Sequence, residues 1–277
     1  LCYLLGVPRR ELFSFPRTQS FTLSCCLRGP TMKFQFSPSS SLKTLSAVSV
    51  LSLSALALPS QAGEWSANAA VTNNYIWRGL TQTENNSAVQ GGIDYASDGG
   101  FYAGTWVSNV NYGPSDVYSY EHDLYAGFAF ETGGVSWDVG YLYYNYDKEA
   151  EFDFGEVYAK VGFGGFSGGV WVLTNTEADE APGQDFDAGS TYYVSADYGF
   201  EISNGIGIGL HVGYHDGDFA EAFNGTTGGY YDYNISVAKD GFAFMMSSTD
   251  VEGPAADGGY DNDQIKFVVS YAVDISM

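Results

Sequence analysis

Apolar and polar residues alternate through the last stretch of the chain. The apolar positions are Ile265, Phe267, Val269, Tyr271, Val273, Ile275 and Met277. The residues between them are small or polar with one exception, Val268, so the period of two predicts a β-strand with one apolar face. A terminal strand would leave an unpaired edge in a soluble sheet. It is therefore predicted to be the closing strand of a membrane barrel, with its apolar face towards lipid.

The same alternation predicts about 12 strands after residue 62. They are Trp65–Trp77, Ala88–Tyr95, Phe101–Val110, Tyr118–Phe130, Val135–Tyr146, Phe154–Phe163, Phe166–Leu173, Thr191–Phe200, Ile206–His215, Tyr230–Lys239, Phe242–Ser248 and Ile265–Met277. On the fourth strand, Leu124, Ala126, Phe128 and Phe130 are predicted to face outward. Both faces of the third strand are fairly apolar, so its outer face stays open.

Short and long connections alternate between these strands. The short ones contain Gly, a signal for tight hairpins, and are Ala96–Gly100, Glu131–Gly134, Gly164-Gly165, Glu201–Gly205 and Asp240-Gly241. The long ones are polar and run over 78–87, 111–117, 147–153, 174–190, 216–229 and 249–264. This segregation predicts an all-β fold, a transmembrane antiparallel up-and-down β-barrel of the bacterial outer membrane. Both termini and the short turns would then be periplasmic.

Aromatic residues cluster at the predicted strand ends. They are Tyr75 and Trp77, Phe101 and Tyr102, Tyr118 and Tyr120, Tyr141 to Tyr146, Tyr192 and Tyr193, and Tyr230 to Tyr233. We interpret them as the interfacial girdles of a membrane barrel. The alternative is the ordinary preference of aromatic residues for strands.

The N-terminal part of the chain has the pattern of a secretory leader. Met32 and Lys33 open a short basic region, Leu45–Leu58 is apolar, and Pro59–Ala62 ends in small residues. We predict a signal peptide over residues 32–62, an upstream extension from a misassigned start over 1–31, and a barrel over 63–277. A membrane anchor is the alternative, although the apolar stretch is short for one.

Charge and cysteine content narrow the function of the predicted mature chain. The three cysteines all precede Met32, which excludes a disulfide scaffold and thiolate metal ligands after residue 62. All but one of the 33 acidic residues follow that position, against the basic residues Arg78, Lys148, Lys160, Lys239 and Lys266. Nucleic acid is therefore an implausible partner, and cations are favoured.

Three motifs near the start of the barrel carry a family resemblance. They are Val71–Thr83 (VTNNYIWRGLTQT), Gln90–Tyr95 (QGGIDY) and Gly100–Val110 (GFYAGTWVSNV). Together they resemble the Gcw_chp proteins, also described as TorF-family porins of Gram-negative bacteria, from about Trp65 to the C-terminus. The resemblance implies an outer-membrane barrel and a pore, and it brings no substrate and no catalytic residue. Met277 departs from the Phe or Trp that commonly ends such barrels, which bears on recognition by the barrel-assembly machinery.

Several charged and polar positions are candidates for the pore lining. They are Arg78, Asp94, Glu156, Lys160, Asp197, His211, His215, Asp232, Lys266 and Asp274. We expect the basic members to pair with carboxylates inside the barrel. These pairs would set ion selectivity if water fills the lumen, or hold the interior together if the lumen is plugged. Strand number alone leaves both possibilities open.

No pattern for catalysis, a metal or a cofactor stands out. His211 and His215 lie about 13 Å apart on a strand, too far to share one metal, so we interpret them as lumen polarity. His122 on another strand is a conceivable partner for either. The acidic loops Asn175–Asp187 and Asp250–Asp263 offer calcium-type oxygens without EF-hand spacing, and we interpret them as solvated loops. No nucleophile elbow, P-loop or dinucleotide fingerprint occurs, which argues against an enzyme.

The predicted function is passive diffusion of small hydrophilic solutes, with a preference for cations. The expected partners are outer-membrane lipid and the barrel-assembly machinery. One rival is a non-conducting barrel that binds a ligand or surface through its acidic loops. Another is a soluble secreted β-sandwich, which would not explain the alternation of loop lengths.

Overall fold

A computed structural model describes residues 63–113, 116–251 and 262–277. The predicted leader, the predicted upstream extension and most of the loop before the last strand lie outside the described residues. Within them, no helix is long and apolar enough to cross a membrane.

The chain forms long strands joined by turns and loops. The long strands are β1 (Glu64–Thr72), β4 (Ala88–Ala96), β5 (Phe101–Asn109), β6 (Tyr120–Thr132), β7 (Val135–Tyr146), β8 (Phe154–Phe163), β9 (Phe166–Thr176), β10 (Tyr192–Ile202), β11 (Ile206–Asp216), β12 (Tyr230–Lys239), β13 (Phe242–Thr249) and β14 (Lys266–Ser276). The two short strands are β2 (Ile76–Trp77) and β3 (Leu80–Thr81). A 3-10 turn covers Lys148–Ala150, and the helix α1 covers Asp218–Asn224.

The long strands form a closed antiparallel barrel of 12 strands, which confirms the predicted fold class. Each long strand pairs with the next one along the chain, and β1 closes the barrel by pairing with β14, with Ala69 opposite Val273. The short turns and both described termini lie at one end, here called the turn end. The long connections lie at the other, the loop end. The predicted alternation of loop lengths is therefore confirmed, and the soluble sandwich is wrong.

The outside of the barrel is apolar. Large apolar side chains on alternate strand positions are exposed, including Leu124, Phe128, Val139, Val157, Val161, Val194, Leu210, Val212, Ile235, Val237, Phe244, Phe267, Val269 and Val273. On β5, Phe101 and Val107 face outward and Trp106 faces inward, which decides the face that the sequence left open. A closed barrel satisfies every strand edge, and its apolar outer band suits hydrocarbon. The protein is an outer-membrane barrel.

Three expectations about the loop end are wrong. The first strand was predicted to run to Trp77, but β1 ends at Thr72 and the chain then turns into the lumen. Tyr75 and Trp77 are buried there, as are Tyr144, Tyr146, Tyr193 and Tyr230, so these six aromatics do not belong to an outer girdle. The connection after β11 also contains α1, whose short amphipathic pattern lay in a segment predicted as a polar loop.

Glycines facing tyrosines shape the inner wall. A Cβ at Gly104 would lie 2.5 Å from the Tyr125 ring, and one at Gly127 would lie 2.3 Å from the Tyr102 hydroxyl. Each glycine is the cross-strand partner of its tyrosine in the β5–β6 pair. The missing side chain leaves room for the ring to lie along the neighbouring strand, a cross-strand packing known to support strand glycines. These two pairs give one reason for glycine at inward strand positions beside tyrosine.

Gly100→Ala is expected to lower the free energy of unfolding by at least ~2 kcal/mol, because it combines backbone strain with a clash. Gly100 has φ of 93°, and an added Cβ would lie 2.2 Å from the carbonyl oxygen of Ala129. Equilibrium unfolding by urea in lipid vesicles measures the effect. Gly99→Ala in the same turn is the control, since its nearest atom would be Ser97 Oγ at 4.0 Å. Equal losses in both variants would contradict the argument.

Candidate functional site in the barrel lumen

Residues 73–87, here called the plug segment, leave β1 and fold into the barrel as the hairpin β2–β3. The hairpin turns at Arg78 and Gly79, whose φ values of 45° and 80° match a tight turn with two left-handed residues. A Cβ at Gly79 would lie 2.5 Å from side-chain atoms of Asp232 on β12 and of Thr249 on β13. Glycine at this position therefore lets the tip of the hairpin lie against β12 and β13. Because Arg78 also reaches Glu156 on β8, on the far side of the barrel from β1, the plug segment crosses the lumen.

The Arg78 guanidinium is held on several sides. Nη2 donates to Glu156 Oε2 at 2.6 Å, and the group lies 4.2 Å from the Trp77 ring centroid and 4.4 Å from that of Tyr193. Nη1 lies 3.0 Å from His215 Nε2. An arginine nitrogen can only donate, so His215 Nε2 accepts and its Nδ1 carries the proton. These contacts fix the charged tip of the plug segment to β8, β10 and β11.

Carboxylates lie beneath the plug segment on the inward face of β6 and β8. Glu121 accepts hydrogen bonds from Tyr75 OH at 2.6 Å and from Tyr146 OH at 2.7 Å. Glu156 accepts one from Tyr144 OH at 3.2 Å besides its ion pair. Asp123 is fully buried, and neither of its oxygens has a hydrogen-bond partner in the part of the chain that the structure describes. The cluster is therefore acidic, with one arginine to balance it.

At the loop end, aromatic rings cover the plug segment. Phe152, which follows the 3-10 turn, stacks on Phe223 and Phe219 of α1 at centroid distances of 4.5 and 5.3 Å. Phe223 contacts Trp77 edge to face, at 6.4 Å. These rings and the tyrosines below them form one buried cluster inside the barrel. The loop half of the lumen is thus filled by side chains.

Towards the turn end, the lumen is lined by charged residues and tyrosines, since Tyr125 OH donates to Asp94 and Tyr102 OH donates to Asp138. Lys160 pairs with Asp138 at 2.6 Å and remains partly exposed. His211 lies between Asp197 and Asp232, with Nδ1 2.6 Å from the first and Nε2 2.9 Å from the second. Because both partners are carboxylates, both ring nitrogens donate and the ring is cationic. Asp138 and Asp232 are buried, so the accessible charge of this region lies on Lys160, Asp197 and His211, which are partly exposed.

Most of the sequence-predicted lining residues do face the lumen. Arg78 pairs with Glu156 as expected, although it does so from the plug segment and not from the end of a strand. Asp94 accepts from Tyr125 OH, and Lys266 Nζ donates to the carbonyl of Asn262 at 2.8 Å. Asp274 lies near the turn end and is exposed. The pore-lining role of these residues stays a prediction.

His122 does not meet the lumen histidines. It lies on the outward side of β6 with Leu124, and its Nε2 is 2.7 Å from Thr105 Oγ1 on β5. His211 and His215 both face the lumen, but their ring nitrogens contact different partners. They act as separate polar groups, in line with the interpretation drawn from their spacing.

Sequence reasoning missed several lumen groups, although a signal for them existed. Glu121 and Asp123 alternate with the outward positions predicted for β6. Because successive side chains of a strand point to opposite faces, this alternation alone places both carboxylates inside the barrel. Asp138 alternates in the same way with Trp137 and Val139 on β7. The dipeptide Arg78-Gly79 between Ile76-Trp77 and Leu80-Thr81 carries the glycine turn signal of a hairpin.

The acidic loop between β9 and β10 brings three carboxylates together. Oxygens of Glu180, Asp185 and Asp187 lie within 4.8 Å of one another, and all three residues are exposed. Calcium binding there stays an alternative to a solvated loop. The second acidic loop, 250–263, lies mostly outside the described residues.

Comparisons with known proteins cover most of the chain. A family model described as "Bacterial protein of unknown function (Gcw_chp)" matches residues 57–273. No curated protein matches the sequence.

The KdgM porin is similar in structure with a TM-score of 0.44 and 9% identity, over 77% of this chain and 99% of that one. The NanC porin has a TM-score of 0.45 and 9% identity, over 77% and 98%. OccD3 (OpdP) of Pseudomonas aeruginosa has a TM-score of 0.39 and 11% identity, over 78% and 65%.

Proposed function

The chain belongs to the Gcw_chp family of bacterial proteins of unknown function, and from that premise we propose that it is a cation-preferring channel for small hydrophilic solutes. The plug segment closes the channel in the conformation described. A channel needs lipid around it and the barrel-assembly machinery to insert it, so both are partners in this proposal. No step calls for a cofactor or for catalysis.

The charge of the inner wall is the observation that carries the proposal. Inward-facing carboxylates on the long strands outnumber the basic groups that face them, which are Arg78, Lys160, Lys266 and the cationic His211. These carboxylates include Asp94, Glu121, Asp123, Asp138, Glu156, Asp197, Asp232 and Asp274. A ring of acidic side chains attracts cations and repels anions as they enter a narrow polar path. The wall therefore favours cation passage once the path is open.

The attachment of the plug segment supports a closure that is reversible. Its tip is held by one ion pair, one ring contact with Tyr193, hydrogen bonds to side chains and the packing of Trp77. The strands, in contrast, are held by continuous backbone ladders. The plug segment can therefore leave the lumen without breaking the barrel. Its two ends, Thr72 and Ala88, are direct partners in the β1–β4 pair, so they stay together when it moves.

Conductance of the purified protein in planar bilayers tests the proposal. In the decisive variant, residues 73–87 are replaced by Asn-Gly, which suits a tight turn between the paired ends Thr72 and Ala88. A second variant carries a Gly-Ser segment of the original length, which separates loss of the plug from loss of chain length. We expect brief, small openings for the native protein and a several-fold larger conductance for both variants. Under a salt gradient, the reversal potential should favour cations.

The filled loop half also favours a second candidate, a barrel that does not conduct. In that case the aromatic cluster is a permanent core, and the acidic loops carry the function. Correctly folded variants that stay silent without the plug segment would establish this candidate and end the channel proposal. If the variants without the plug segment conduct but prefer anions, the channel proposal stands and only the proposed cation preference is wrong.

A further inference from the structure

Asp123 is the feature of the lumen that the proposed channel leaves unexplained. It lies in the middle of the acidic cluster, 0% exposed, and both of its oxygens lack a partner among the described residues. Each neighbouring carboxylate is satisfied, Glu121 by two tyrosines and Glu156 by Arg78 and Tyr144. An ionised carboxylate buried without a partner is far less stable than one in water or one that is paired.

The groups around Asp123 do not balance a negative charge on it. On its own strand it has Glu121 and Tyr125, and the plug segment brings Tyr75. Across the strand pairs it faces Trp106 of β5 and Tyr144 of β7. Glu156 of β8 is close enough to repel it, and the nearby Arg78 is already bound to that glutamate. Glu121 is bound by two tyrosine hydroxyls, which carry no positive charge. An ionised Asp123 would therefore be a second negative charge under the plug segment without a positive charge to balance it.

We propose that Asp123 binds a proton when the plug segment is seated and that release of this proton favours opening. The inference rests on the proposed channel function and names its regulation. In the closed form Asp123 is a neutral carboxylic acid. When the plug segment leaves, water reaches the side chain, the acid releases its proton to that water, and the carboxylate is stabilised by hydration. In water an aspartate is ionised at neutral pH.

A proton fits this position better than a metal ion. Among the described residues, the carboxylates whose oxygens converge within 4.8 Å are those of the exposed loop and not Glu121, Asp123 and Glu156. Calcium needs six or more oxygen ligands, and the described residues bring no such set of carboxylate oxygens together at Asp123. A proton needs no such set.

The sign of the pH dependence follows from the count of protons. The closed form holds one proton that the open form does not, so closure is favoured at low pH and lost as the pH rises. For a single proton, the ratio of open to closed channels should increase by up to about tenfold for each pH unit. Asp123→Asn removes the titration and leaves a neutral side chain of the same shape. It should keep the channel closed at every pH.

Single-channel recording from about pH 5 to about pH 9 tests the proposal. We expect the open probability of the native protein to rise with pH and that of Asp123→Asn to stay low and flat. Asp98→Asn is the matched control, because that aspartate is exposed in the turn between β4 and β5, and it should keep the native response. A native-like response in Asp123→Asn would overturn the proposal. So would an open probability that follows the concentration of sodium, potassium or calcium at fixed pH.

Two further measurements separate the possible failures. If the native protein shows no pH response while the variant without the plug segment conducts, proton control is wrong and the channel stands. If that variant is also silent, the channel itself is wrong. If Asp123→Asn does not fold, infrared spectroscopy of the native protein with labelled aspartate decides. A carbonyl band of a protonated acid at neutral pH that disappears on raising the pH supports the proposal, and its absence at neutral pH overturns it.

Discussion

Arg78→Met is expected to lower the free energy of unfolding by about 3–5 kcal/mol, because it leaves a buried carboxylate without its partner. Glu156 is 2% exposed, and Arg78 Nη2 is its cationic partner at 2.6 Å. Methionine preserves much of the length and apolar contact of the arginine stem while it removes the charge. The substitution should therefore also loosen the plug segment and raise the open probability of the channel. Urea unfolding in lipid vesicles and single-channel recording measure the two effects.

The double variant Arg78→Met with Glu156→Gln separates two causes of the lost stability. One is the buried Glu156 carboxylate left without a cation, and the other is the lost packing of the Arg78 side chain. Removing both charges should recover a large part of the stability, since buried ion pairs are often replaceable as a pair. Lys160→Met is the comparison, because that lysine pairs with Asp138 while its side chain stays 18% exposed. Asp138 is itself buried but keeps its hydrogen bond from Tyr102 OH. Because the lysine is partly solvated, we expect a smaller loss, of about 1–3 kcal/mol. An Arg78→Met variant as stable as Lys160→Met would show that the plug segment is held by packing alone.

Trp77→Ala is expected to cost about 3–5 kcal/mol, the range for removal of a large buried aromatic side chain. Trp77 is 7% exposed, and its ring contacts Tyr144, Phe154, His215 and Phe223 edge to face. It also covers one side of the Arg78 guanidinium. Its removal leaves a cavity between the plug segment and the roof of the loop end. Far-UV circular dichroism during urea unfolding measures the loss without relying on tryptophan fluorescence.

Trp65→Ala is the matched control for this substitution. Trp65 belongs to the outward face of β1 near the turn end and is 55% exposed. We expect a smaller loss of stability and no change in conductance. If both tryptophans contributed equally, Trp77 would behave like a surface residue, and the packed plug described for the loop half would be wrong.

Local pattern determined the wall of the barrel. The alternation on β6 placed Leu124, Phe128 and Phe130 outside, and the limits of β7, β8 and β12 agree with the predicted segments to the residue. This success has a simple cause. Each strand has a lipid face and a lumen face, so a side chain's surroundings follow from its parity alone. Turn glycines and long polar loops then determined the order and direction of the strands.

Only the tertiary structure decided what fills the barrel. The sequence around Tyr75, Trp77 and Arg78 continues the alternation of β1, so the local pattern predicts a longer strand with an aromatic girdle. Its path depends on groups that lie far away in the chain, Glu156 on β8, Tyr193 on β10 and Asp232 on β12. The lack of a hydrogen-bond partner for Asp123 among the described residues likewise depends on which side chains meet across the lumen. Parity tells which face a residue occupies, but contacts across a closed barrel arise from its shear and closure, which no local pattern contains.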